Sequence, residues 1–359
     1  MKKLDNAAVP ALPVAPQAYN PTWGASTLNI LRLYFNQLHQ IISALVGRYG
    51  AAYFDFPHGS FHDTTNQYDG STSIPYAVRF NTTDLSNGVT ITSRDFVGTG
   101  SIALTVLTIT AVTSGRMYPS NLLSGTGVTA GTYSYLQLSS TATPLTGPYN
   151  FVSGGGIGAF TVVLDTVAGL EAQQFISGTG LPANTRIVAV DPLTNTVTLN
   201  AAFTIQATGV YTVRPWGYEG TYSVSPSQTV ASTTITAALP SMITFGVDGQ
   251  YNIQYSLQFT NTDNNTIHDV DVWFRKNDVD IPHSNSVFSV PGRHTGANGQ
   301  LIAAINFFAD NIVSGDVIEI VWHTSSSNVY IETIPAQISP IRPAAPSSIV
   351  TVQFVSRLP

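Results

Sequence analysis

The chain has 359 residues, 43% of them hydrophobic and only 9% charged, against about 25% charged in an average protein, so it folds but covers its surface with Ser, Thr, Asn, Gln and Gly. Its formal net charge is −6, and its only adjacent basic pairs are Lys2–Lys3 and Arg275–Lys276, which excludes the concentrated basic face that a nucleic-acid backbone needs. It has no cysteine, which excludes disulfides, thiolate metal sites and cysteine nucleophiles.

Residues 1–25 read as an extended arm. Pro10, Pro13 and Pro16 recur at spacing three and Pro21 follows, so the backbone is held near the polyproline conformation and loses donors. Such an arm gains order by lying on something else. It is expected to anchor the chain to a neighbouring protein, the alternative being a loose terminus. The prolines and Asp5 also interrupt any signal-peptide core, and no apolar run approaches the roughly 20 residues of a membrane span, so membrane insertion is not expected.

Residues 26–50 hold one helix, STLNILRLYFNQLHQIISALVG, with Ser26 or Thr27 as cap and Gly47 as its end. Leu28, Leu31, Phe35, Leu38, Ile42 and Leu45 fall at spacings 3, 4, 3, 4, 3, a heptad seam. The seam is too short to hold together unaided. A self-associating bundle is expected; a single helix packed on its own domain is the alternative.

From residue 51 onward the pattern is β. HGSFHD, 58–63, reads as a loop bounded by Pro57 and Gly59, so His58 and His62 lack the helical spacing that would aim them at one metal. YAVRFNTTD, 76–84, and NGVTI, 87–91, alternate as half-buried strands with no partner nearby in sequence. In QYNIQYSLQFT, 250–260, Tyr251, Ile253, Tyr255, Leu257 and Phe259 face one way, and in HDVDVWFR, 268–275, Val270, Val272 and Phe274 face inward with Trp273 outside. GQLIAAINFFADN, 299–311, and GDVIEIVWHT, 315–324, are apolar on both faces and are expected to be covered on both. With VYIETI, 329–334, and SSIVTVQFV, 347–355, the tail from 239 supplies the strands of a sandwich.

Between these stretches lies a repeat. LSGTGVTAGT, 123–132, returns as ISGTGLPANT, 176–185. Each copy reads strand, Gly-rich turn, strand. GTYSV, 220–224, is one ending for the first copy and nests the second copy inside it; GPYNFV, 147–152, is a rival ending and gives a tandem. The glycines lead into strand rather than helix, which argues for turns with positive φ and against a phosphate site.

VDVWFRKNDVDIPHSNS (270–286), ANGQLIAAINFFADNIVSGDVIEIVWHTSSSNVYI (297–331) and PIRPAAPSSIVTVQ (340–353) together resemble a jelly-roll domain of tailed-phage virion proteins. That domain is similar in layout to the trimeric heads of the tumour necrosis factor and complement globular-head families. IPYAVRFNTTDLSNGVTI (74–91) resembles its first strands and MITFGVDGQYNIQYSLQF (242–259) its next ones; YNPTWGASTLNILRLYFNQL (19–38) also resembles the start of such phage proteins. The resemblance implies a mainly β chain: an antiparallel jelly-roll β-sandwich built from 51–97 plus 239–359, with small β modules inserted as 98–238, after an arm (1–25) and a helix (26–50). It implies a homotrimer in the virion, attached to other virion proteins through residues 1–25. The expected role is a non-enzymatic fibre or spike that adheres to host surface glycans. A capsid decoration or cement protein is the alternative, and a polysaccharide depolymerase a further one.

No cofactor or metal is expected. DNNTIHDVD, 263–271, lacks the Gly and terminal Glu of a calcium loop. The acidic residues that a glycan-cleaving pair would need, Glu171 with Asp165 or Glu219 with Asp191, are not placed in space by sequence. Aromatic rings are the candidates for contact with a glycan or partner: Tyr133 and Tyr135 on one strand face, and Trp216 and Tyr218 in RPWGYEG. Trp273, on the outer face of its strand, is assigned to subunit contact together with the helix seam.

Overall fold

Helix formation begins at an asparagine followed by a proline. In the computed structural model, which describes residues 12–14, 16–18, 20–46, 56–69, 72 and 74–357, Asn20 Oδ1 accepts hydrogen bonds from Thr22 N (2.9 Å) and Trp23 N (3.2 Å), and the helix runs Pro21–Val46. This corrects the expected start at Ser26 or Thr27 and shortens the arm by residues 21–25. Asn is among the best N-caps, and a proline in the first helical position lacks only an N–H that has no partner there. Residues 47–50 and the Leu45 side chain lie outside the described residues. The helix belongs to a first unit, Met1–His58. Along it Leu28, Phe35 and Ile42 are exposed and Leu31 and Leu38 half-buried, so no described seam residue is buried.

The second unit, Gly59–Pro359, is mainly antiparallel β. In one sheet the long strand Gly249–Asn261 pairs with Gly299–Ile312 on one edge, and with Ser348–Ser356 and then Val329–Ile331 on the other. Beyond these lie His58–Asp63 and Gln67–Tyr68. In the other sheet Val317–Thr324 runs between His268–Lys276 and Pro240–Phe245. The upstream strands find their partners here, far along the chain. Val89–Ser93 pairs with Pro240–Phe245 (Val89 with Phe245, Ile91 with Ile243), and Tyr76–Ala77 pairs with Val317–Thr324 (Tyr76 with Trp322). One core lies between the sheets, where Phe61, Tyr76 and Val89 join Tyr255, Phe274 and Trp322. Each such ring or branched chain contributes about 2 kcal/mol on burial.

The inward alternation of Tyr251, Ile253, Tyr255, Leu257 and Phe259, and of Val270, Val272 and Phe274, is present as read. Val317–Thr324 is covered on both faces: Ile318, Ile320 and Trp322 are buried on one, Glu319 and Val321 on the other. Gly299–Ile312 is not. It is an edge strand with an uncovered outward face, where Ile302 and Phe308 are 64% and 61% exposed, and this corrects the expectation for that segment. HGSFHD is also corrected, from loop to strand: Gly59, Phe61 and Asp63 point in, and His58, Ser60 and His62 alternate with them. A period of two was present behind the flanking Pro57 and Gly59.

Arg94 and Leu239 close the sandwich side of the middle segment by exchanging backbone hydrogen bonds (3.0 and 3.2 Å). Past them, Phe96–Gly115 and Gly220–Ala238 run as a long ribbon that folds back near Leu104, whose φ is +57°. The fold brings Gly98 against Ala111 and Gly100 against Thr108. A Cβ there would sit 2.7 and 2.6 Å from the carbonyl oxygens, so only glycine permits the approach. Leu122–Ser124 and Thr132–Ser140 pair on the free edge of Gly220–Ala238, completing a half-barrel around Ile102, Leu107, Ile109, Tyr222 and Ile235.

A second body is a near-closed barrel. Its strands follow the order Phe175–Ser177, Val210–Arg214, Tyr149–Gly154, Thr161–Leu164, Thr196–Leu199, Ile187–Asp191. Ile176 N to Thr185 O and Ile187 N to Gln174 O, both 2.9 Å, join the last strand to the first. Its core is Val162, Leu164, Ile176, Val197, Tyr211 and Val213. In chain order all its strands fall between Thr132–Ser140 and Gly220–Ala238 of the half-barrel. One module is therefore nested in the other, and GPYNFV belongs to the barrel rather than ending the first copy. Both SGTG phrases sit where the repeat placed them, each after a short strand and before the next.

Candidate binding cleft

Three β bodies meet at a cleft of about 480 Å³. The sandwich supplies Arg94, just past Val89–Ser93, Glu319 from the doubly covered strand, and Arg275 and Asp278 at the end of His268–Lys276. The half-barrel supplies Arg116 and Tyr118 after its long strand, Tyr135 and Gln137 from Thr132–Ser140, and Trp216. The barrel supplies Glu171, Gln173 and Arg186.

The floor is an ion-pair network. Arg94 donates through Nε to Glu319 Oε1 (3.0 Å) and through Nη2 to Glu319 Oε2 (2.8 Å), a bidentate pair, and through Nη1 to the Tyr118 hydroxyl (3.1 Å). Ser241 Oγ donates to Glu319 Oε1 at 2.6 Å, and Asp278 accepts from Arg94 at the exposed end. Burial opposes the charge on Arg94, but the Glu319 hydrogen bonds and charge more than offset it and hold the guanidinium above its ordinary value. Burial likewise raises the Tyr118 hydroxyl, which stays a neutral donor and acceptor.

The aromatic wall stands above this floor. Trp216 and Tyr118 meet edge to face with centroids 5.2 Å apart. Arg116 lies over Trp216 at 4.9 Å and over Tyr218 at 5.4 Å, and pairs with Glu171 at 3.1 Å. Gln137 Oε1 accepts from Gly217 N (2.7 Å), which fixes the RPWGYEG turn that carries the tryptophan. The arrangement combines a stacking surface with fixed hydrogen-bonding groups in a concave site, the usual makeup of a small-ligand pocket.

The residues singled out in the sequence are distributed as follows. Trp216 and Tyr135 line the cleft, and Tyr218 faces Arg116 beside it. Tyr133 lies under the Arg79 guanidinium, 4.2 Å from its centroid, and is no part of the lining. Tyr135 and Leu136 pack against the sandwich core, and buried Arg79 donates to Ser120 O (3.2 Å) and Asn66 O (3.0 Å). This stretch of the middle segment is thus docked on the sandwich instead of projecting from it. Trp273 lies on the outer face of its strand, donating to Asp280 Oδ1 at 2.9 Å, and borders a shallower cavity with Asp271, His283, Asn285 and His323.

Each carboxylate weighed from sequence has a partner of its own. Asp165 accepts from Asn150, Asp191 from Leu193 N and Thr194, and Glu219 from Val112 N, while Glu171 is at the cleft with Arg116. His62 faces Asp84 and His268 faces Asp263, and no group of three or more metal-ligating side chains gathers among the described residues. Sequence reasoning missed Arg94, Glu319, Arg116, Tyr118 and Arg186. The one legible signal was Glu319, a lone carboxylate in the apolar run VIEIVW, which demands a buried cation.

No family model matches the chain, and no curated protein matches its sequence.

Proposed function

We propose that this chain is a structural protein of a phage virion, a trimeric fibre or spike that adheres to host surface glycans through the Trp216 cleft. The observation that carries the reading is that cleft: a tryptophan and a tyrosine held edge to face above a network of fixed donors, in a chain whose surface is otherwise poor in charge. Sugars present an apolar face to an aromatic ring and a rim of hydroxyls to amides and guanidinium groups.

The finer fold reading goes with it. Residues 51–97 and 239–359 form one discontinuous jelly roll, and 98–238 is its insertion. The pairing of Val89–Ser93 with Pro240–Phe245 supports this. Trimer formation is supported by the unburied heptad residues Leu28, Phe35 and Ile42 and by the exposed Ile302 and Phe308 on an edge strand, apolar surface that a lone copy leaves in water. The segment ahead of the helix would attach the trimer to the particle. Binding is favoured over hydrolysis because Glu171, Glu319, Asp278 and Asp280 each meet an arginine, which leaves no unpaired carboxyl among the described residues that line the cleft.

The test is titration of the full chain with purified host surface polysaccharide, beside sedimentation to obtain the mass in solution. A trimer that binds, and a Trp216→Ala variant weakened by about tenfold or more with an unchanged melting curve, is the expected result. Undiminished binding by the variant refutes the site, and a monomer refutes the assembly.

A further inference from the structure

The arginines of the cleft differ in what they face. Arg94 holds Glu319 and Asp278, Arg116 holds Glu171, and Arg275 donates to Asp280 at 2.8 Å. Arg186 has no carboxylate within ion-pair distance among the described residues. Its Nη1 donates to the neutral Gln173 Oε1 at 3.1 Å, and its guanidinium lies 4.5 Å over the Phe175 ring. It is also half-buried, at the start of Ile187–Asp191 where the barrel closes. Burial pulls it from 12.5 to about 10, with only Tyr222 acting the other way, yet it stays charged at neutral pH. A half-desolvated cation with a neutral partner is costly, and the cost is offset when an anion arrives. A carboxylate matches the planar fork of a guanidinium with two parallel hydrogen bonds.

We propose that the glycan taken by this cleft is acidic, a uronic acid or other carboxylate-bearing sugar whose carboxylate docks on Arg186 while its ring lies toward Trp216. The proposal rests on the reading of the cleft as a glycan site and adds the class of sugar.

The experiment uses the full chain and a panel of galacturonate, glucuronate and sialate oligosaccharides, each beside its carboxyl-reduced counterpart, with short polyglutamate as a protein-like anion. At least one acidic member is expected to bind about tenfold or more tighter than its reduced form, with affinity falling as salt rises. Arg186→Gln is expected to erase that preference, and Arg186→Lys to restore part of it. Equal binding of the acidic and reduced forms, or a preference untouched in Arg186→Gln, overturns the proposal. Polyglutamate binding in place of every acidic sugar overturns it in favour of an acidic protein partner. If reduced sugars bind and Trp216→Ala abolishes that binding while Arg186→Gln does not, the glycan site stands and the acidic class falls. If no member binds at all, both fall.

Discussion

Replacing Arg94 with methionine is expected to lower folding stability by about 3–5 kcal/mol at neutral pH. Glu319 is only 3% exposed, and its two oxygens are held by Arg94 and Ser241. Without the guanidinium, a carboxylate remains buried with one hydroxyl for company. The loss extends further, because Arg94 also joins the sandwich to Tyr118 of the half-barrel. Urea unfolding measures it. The double variant Arg94→Met with Glu319→Met is expected to recover most of the loss, since a matched apolar pair removes both desolvation costs. A single variant within about 1 kcal/mol of the parent, or a double variant worse than the single, contradicts the role given to this pair.

Asp69 carries the second large effect, with the opposite sign to an ordinary acidic residue. It is buried, and neither side-chain oxygen has a hydrogen-bond partner among the described residues. Desolvation pushes its carboxyl from 3.8 up to about 7. The unfolded chain releases this proton near the ordinary value, while the folded chain keeps it. Between those values the folded state binds more protons, so stability falls as pH rises, by an amount on the order of 4 kcal/mol across the window. Below it the group contributes no penalty, and above it the penalty is complete. Asp63, raised mainly by burial, adds to the same trend. Asp69→Asn is expected to flatten most of the slope of stability between about pH 4 and pH 7. Parallel slopes in parent and variant would show that the carboxyl is solvated or paired in solution.

What the sequence disclosed follows from how local each signal was. Tyr251 to Phe259 alternate without interruption because one face is core and the other is not, so the strand was legible from a few residues. Val317–Thr324 was legible as covered on both sides, since eight residues without a free polar face leave no other reading. The same logic failed for Gly299–Ile312, where Ile302 and Phe308 are apolar yet exposed; apolar character by itself does not report whether a strand face is covered. The helix starts earlier than the run of prolines suggests, because Pro21, which follows the prolines of the arm, is favoured at the first helical position. The cleft was the least legible part. Trp216 was marked by its Pro and Gly neighbours, but Arg94, Arg116, Arg186 and Glu319 come from four separated stretches and converge only when the modules fold back on the sandwich. No spacing in the chain encodes that convergence.

The sequence alone is compatible with two endings of the first repeat, GTYSV and GPYNFV. Strand pairing decides between them: Gly220–Ala238 serves as partner to both Leu122–Ser124 and Thr132–Ser140, and the barrel occupies the chain between. The consequence for the cleft is direct. Trp216, Arg116 and Arg186 all arrive with the middle segment, while Arg94, Arg275 and Glu319 wait on the sandwich.

The most direct test is therefore to excise residues 95–238, joining Arg94 to Leu239 through an Asn-Gly turn where their backbones already exchange hydrogen bonds, and to titrate the shortened chain with host surface polysaccharide. A sandwich that still unfolds cooperatively and binds no glycan is the predicted result. Polysaccharide bound as tightly as by the full chain would contradict a site shared between the sandwich and its inserted modules.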